Sequence, residues 1–150
     1  MTVKDKVAEY VGWYGTGANG QAPTEAQWTR LLNRDPEAPL VLTNFFKFRE
    51  VALYASGGGS EDVSGQEAFG RYASVSIPAM ERAGGSFLLV APFAGAFLGE
   101  DEDWDLMAIG SYPNLAAFHA LYGAEDYRAA FHHRTAATLR QKVLICEAGA

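Results

Sequence analysis

Residues 39–50 read PLVLTNFFKFRE. Their length and their content of Val, Leu, Thr and Phe predict a β-strand. Alternate side chains of a strand share a face. Leu40, Leu42, Asn44, Phe46 and Phe48 therefore lie on one side, and Val41, Thr43, Phe45, Lys47 and Arg49 on the other. Both sides are largely apolar, so both need cover.

The chain beyond this strand supplies one cover. Ser64 and Glu67 have capping-box spacing and open a helix that runs to about Ala83. Phe69, Ala73, Ser76 and Met80 share one face of it. Pro78 is expected to kink this helix, and Gly84 and Gly85 to stop it. SFLLVAPFAGAFLG (86–99) reads as a strand bent at Pro92 and Gly95, EDEDWD (100–105) as a solvated turn, and WDLMAIGSY (104–112) as the next strand. A short helix at 113–123, a helical segment AEDYRAAFHHRTAATL and a final strand QKVLICE (141–147) complete the chain. The order β, α, β, β, α, β is that of the ferredoxin-like α+β fold, an antiparallel sheet with helices on one face. Its second face is left for a partner.

Residues 1–38 are expected to be an extension of the 39–150 domain. It contains a glycine-rich link, GTGANGQAP, and one short helix in TEAQWTRLLNRDP. Thr24 and Gln27 cap that helix, and Trp28, Leu31 and Leu32 need something to pack on. Gly57, Gly58 and Gly59 lie in a surface loop. They lack the Gly-Lys-Ser/Thr ending and the strand-to-helix spacing of phosphate-binding loops.

The net charge is −6 and the cations are scattered, which disfavours nucleic acid and anionic membranes as partners. No stretch approaches the ~18 apolar residues of a membrane span, and no signal-peptide core is visible; a cytoplasmic protein is expected. The single cysteine, Cys146, sits in an apolar run and is expected to be a buried core residue. No zinc-type spacing is present, and EDEDWD lacks the spacing of a calcium loop, so neither metal nor cofactor is expected.

Several separated motifs agree in order and spacing with one known family. NFFKFRE followed by ALY, then SGQEAFGRY, the GG before a strand, YP…AF and YRAAFHHRTAATL resemble the bacterial domain-of-unknown-function family numbered 1330, in the dimeric α+β barrel superfamily. The resemblance covers 39–147 and, less distinctly, the helix before it. It implies a ferredoxin-like subunit whose sheet packs against that of a second copy. It implies no reaction.

The polar candidates are Arg134, His133, Asn44 and Tyr72. On a helix Arg134 falls in the stripe of Tyr127, Ala130, Phe131, Ala137 and Thr138. A buried guanidinium needs a carboxylate, carbonyls or a bound anion. Glu67, Asp105 and Glu147 are possible internal partners; a ligand carboxylate or phosphate is the alternative. His133 lies at the edge of the stripe, as a boundary residue or a pocket residue, with a haem ligand as a special case. His132 points further out. Asn44, on an apolar strand face, either fixes a loop or lines a cavity. Tyr72 is a core tyrosine or a donor to a ligand.

The sequence thus reads as a homodimeric small-molecule-binding protein, with a pocket between sheet and helices for a small anionic ligand. Its chemistry, if any, is cofactor-independent, and no catalytic residue can be assigned. The alternatives are a non-catalytic dimer with structural polar residues and a haem-binding protein.

Overall fold

The computed structural model describes residues 1–55 and 62–148; Gly57, Gly58 and Gly59 lie outside the described residues. Among these, four strands form one antiparallel sheet in the order β2-β3-β1-β4. The central strand β1 (Leu40–Phe48) lies between β3 (Leu106–Tyr112) and β4 (Thr138–Glu147), and β2 (Ser86–Pro92) takes the edge beside β3. With α3 (Gly65–Arg82), α4 (Leu115–Tyr122) and α5 (Glu125–Ala137) between the strands, this is the ferredoxin-like order.

Directly opposed residues of paired strands share a face. Leu42 faces Gly110 and Ile145, and Asn44 faces Ala108 and Val143. Leu40, Leu42, Phe46, Ala108 and Tyr112 are buried on this inner side, as are Tyr72, Met80, Phe118 and Phe131 from the three helices. Ser64 caps α3 through Glu67 N, and α3 continues through Pro78. Gly84, at φ 94°, allows the chain to turn back so that Gly85 N reaches Met80 O at 3.0 Å.

Some expected boundaries shift for identifiable reasons. The second strand ends at Pro92, not residue 99: proline has no N–H for the ladder, and the chain leaves the sheet soon after Phe93 N bonds to Asp105 O. The last helix stops at Ala137 and the last strand begins at Thr138. The β-branched Thr138 is extended, at φ −103° and ψ 127°, with its Oγ1 3.0 Å from Arg134 O.

The first 38 residues hold two helices, where one was expected. The second, α2 (Glu25–Leu32), has the capping box read from Thr24 and Gln27. The additional helix, α1 (Val3–Tyr14), carries its own capping box, Thr2 with Asp5. Val7, Tyr10 and Tyr14 lie at helical spacing and pack inward. Tyr10 stacks on Trp28 with ring centroids 4.5 Å apart, and Trp28 meets the edges of Phe118 and Tyr122. Both helices thereby join the core of the sheet and its helices.

The outer face of the sheet differs. Val41, Thr43, Phe45, Met107, Ile109 and Leu144 meet across the strands there, and no helix among the described residues covers them. Cys146, opposite Val41, is exposed, so its expected burial is corrected. It belongs to the face without helices. Three of the five carboxylates of EDEDWD lie at one end of this face and pair with cations: Asp103 and Asp105 with Lys47 at 3.1 and 3.4 Å, and Glu102 with Lys142 at 2.6 Å. Arg49, just after β1, has a buried Nε with no hydrogen-bond partner among the described residues.

Trp28 is 1% exposed, and its Nε1 has no hydrogen-bond partner among the described residues. Trp28→Ala is therefore expected to cost about 3–5 kcal/mol in denaturant unfolding. Trp28→Phe loses volume but also removes an unsatisfied buried donor, and should stay within about 1.5 kcal/mol of the parent. Deletion of residues 1–38 should lower the melting temperature by exposing Phe118 and Tyr122. Unchanged stability in Trp28→Ala would mean that α2 does not dock in solution as described.

Candidate functional site

The inward stripe of α5 consists of Tyr127, Ala130, Phe131, Arg134 and Ala137, all buried. Arg134 is 6% exposed, as the helical spacing predicts. Its partners are not those the sequence suggests. No carboxylate among the described residues pairs with it, so the salt-bridge alternative is corrected. Glu67 is exposed on the first turn of α3, Asp105 binds Lys47 and the amide of Phe48, and Glu147 pairs with Arg34. The geometry separates each of these acids from the helix stripe.

Neutral groups surround the guanidinium instead. Arg134 Nε donates to Gln141 Oε1 at 2.8 Å, and Nη1 donates to the Tyr72 hydroxyl at 3.1 Å. The guanidinium carbon lies 4.8 Å from the ring centroid of Phe46 and 5.3 Å from that of Phe131, within cation–π range. The Tyr72 hydroxyl is also 2.7 Å from that of Tyr127. Burial pushes the phenols of Tyr122 and Tyr127 above their ordinary range, so both stay neutral at neutral pH. The cage solvates the cation but does not neutralise it.

Arg134 borders two cavities. The first, about 80 Å³, lies between α3 and the inner face of the sheet and is lined by Asn44, Tyr72, Ser76 and Arg134 among mostly apolar residues. The second, about 580 Å³, lies between the 17–24 link, α2 and β4. Its described lining includes Arg30, Arg134 and Lys142, the last of which is paired with Glu102, and no carboxylate. Asn44 donates from Nδ2 to Leu42 O and Ala108 O at 3.3 and 3.1 Å.

The sequence reading did not include Gln21 or Gln141. Gln141 stands opposite Phe46, which places its amide beside Arg134. Its Nε2 donates to Gln21 Oε1 at 2.7 Å, while Gln21 Nε2 donates to Thr138 O at 3.0 Å. The link before α2 is thereby tied to the support of the arginine. Gln21 carries no local signal, because its contacts with Thr138 and Gln141 span more than a hundred residues of sequence. Gln141 is near Arg134 in the chain, but the turn of the last strand decides that its amide reaches the guanidinium.

The structure brings Asn44, Tyr72 and Arg134 to one cavity, but not His133. That residue lines neither cavity; its Nδ1 lies 2.7 Å from the Tyr54 hydroxyl. One step along the helix turns it about 100° away from Arg134. His132 is exposed, with Nδ1 2.8 Å from Ala129 O.

Burial, with the nearby His132 and Arg71, holds His133 below the ordinary imidazole range; burial and Lys6 do the same to His119. The unfolded chain thus takes up these protons first as pH falls. Stability should decline as pH drops below about 6.5, the unperturbed histidine value. Urea midpoints measured between pH 7.5 and 5 should show this slope, and His133→Gln should flatten it. A slope unaffected by this variant would assign the effect elsewhere.

No curated protein matches the chain. Among solved structures, it is similar to the methylated RPA0582 protein, with 30% sequence identity, a TM-score of 0.78, and coverage of 86% of this chain and 94% of that chain. It is also similar to the RPA0582 protein of unknown function from Rhodopseudomonas palustris, with 29% identity, a TM-score of 0.76, and coverage of 86% and 96% respectively. Residues 59–148 match a family described as a domain of unknown function, DUF1330. With more than half of its length matched, and with the ferredoxin-like sheet to accompany it, the chain belongs to the DUF1330 family.

Proposed function

We propose that this protein binds a small anionic ligand, a carboxylate or a phosphate, on Arg134. One observation carries the reading: a guanidinium 6% exposed, without a carboxylate partner among the described residues, bordering two cavities. An uncompensated buried charge costs several kcal/mol on the order-of-magnitude scale of buried ion pairs, and an anion arriving from solvent offsets that cost. Tyr72 and Gln141 hold the guanidinium plane in place, so little of its motion remains to be lost on binding. The second cavity adds one further cation, Arg30, in a chain whose net charge is −6. A purely structural role would leave Arg134 paired and the adjoining space filled. The position of His133 gives haem binding no support.

We also propose that two copies pack through the outer face of the sheet. Leu144 is 45% and Leu89 46% exposed there, beside Val41, Phe45 and Ile109. An apolar surface of this extent is a docking surface in a stable protein.

Thermal melts with benzoate, propanoate and phosphate should show stabilisation of the wild type by at least one of them. Arg134→Met should abolish that stabilisation while keeping apo stability within about 1 kcal/mol, or raising it, because an unpaired buried charge is removed. Equal anion-induced shifts in wild type and variant would defeat the ligand reading. Sedimentation at micromolar concentration should give a dimer, and Ile109→Lys should give a monomer. A folded wild-type monomer would defeat the interface.

A further inference from the structure

We propose that the ligand held by Arg134 is an acid that also carries a hydroxyl or amino donor several bonds from its carboxylate, received by Asn44 Oδ1 and Ser76 Oγ. The inference rests on the anion-binding role of Arg134 and adds the second point of recognition.

The amide of Asn44 has one permitted orientation. Both hydrogens of Nδ2 are taken by carbonyl oxygens, those of Leu42 and Ala108. Rotating the amide by half a turn would place Oδ1 against two acceptors. Oδ1 is therefore a fixed acceptor, and it has no hydrogen-bond partner among the described residues. Across the cavity, on α3, Ser76 is 2% exposed and its Oγ likewise has no hydrogen-bond partner among the described residues. Here an acceptor from the sheet and a hydroxyl from the helix line the same space as the guanidinium.

The spacing selects among acids. Asn44 and Phe46 are successive residues of one strand face, roughly 7 Å apart along the strand. The ring of Phe46 lies under the Arg134 guanidinium. A donor meeting Asn44 is thus separated from an acid meeting Arg134 by several bonds, and a hydroxyl adjacent to the carboxylate does not reach. The rest of the wall is mainly apolar, including Phe69 and Leu106, with the rings of Tyr72, Tyr112, Tyr122 and Tyr127 completing it. A cavity of roughly 150 Å³ accommodates benzene. The 80 Å³ here holds a short chain or one side of a ring, with the remainder directed past the partly exposed Ile77 and Val90.

The test compares benzoate with its ortho-, meta- and para-hydroxy derivatives by calorimetry on the full chain. At least one of the meta and para acids should bind roughly three- to tenfold more tightly than benzoate, the gain expected of one added hydrogen bond, and the ortho acid should not. Asn44→Leu, similar in volume, should erase that preference but retain benzoate binding. Ser76→Ala should reduce it and serves as the second variant if Asn44→Leu unfolds. Equal affinities for benzoate and all three hydroxy acids would overturn this inference and leave the anion-binding role standing. An ortho preference, or a meta or para preference that survives both substitutions, would also overturn it. Failure of all four acids to bind would overturn both.

Discussion

A positive charge buried among neutral groups organises the interior of this protein. Arg134 is placed by the periodicity of α5, and its guanidinium meets phenyl faces, a phenol and an amide where a carboxylate would have closed the site. Each of these contacts comes from a different element: Phe46 from β1, Tyr72 from α3, Phe131 from α5 and Gln141 from β4. Sheet and helices must assemble before the charge is solvated, so the cage forms with the fold. The same contacts restrict the side chain to one orientation, which is the condition for a single polar group to select among ligands.

The N-terminal helices act on this centre as well as on the core. Tyr10 and Trp28 cover the rings of α4, and the link between α1 and α2 sends Gln21 to Gln141 and Thr138. A connected set of hydrogen bonds therefore runs from the link through Gln141 to Arg134. The link also forms one wall of the larger cavity. A change in that segment would alter both the support of the guanidinium and the space beside it.

The two faces of the sheet divide the structure chemically. The inner face carries Asn44 between Leu42 and Phe46, and the helices enclose it. The outer face presents apolar residues at its centre and ion pairs at one end. Cys146 illustrates the division: an apolar local sequence places it in a strand, but only the direction in which that strand faces decides its exposure.

The chain's periodicities and caps were sufficient for the fold. The length and residue content of 39–50, the Ser64 and Thr24 caps and the glycine stops determine strands, helices and their order, because each acts over a few residues. The stripe of α5 likewise determines that Arg134 points inward, whereas it leaves His133, at its edge, open between a boundary and a pocket residue. The missing first helix was legible in Val7, Tyr10 and Tyr14, whose spacing shows one apolar face. What stands opposite a residue is a different kind of fact. That Arg134 meets Gln141 and Tyr72 instead of Glu67, Asp105 or Glu147, and that Asn44 turns Nδ2 toward Ala108, depend on strand register and helix docking. Those are settled by how whole elements pack: Tyr72 and Ala108 lie more than sixty residues from their partners, and Gln141, although seven residues from Arg134, is brought to it by the pairing of β4 with β1.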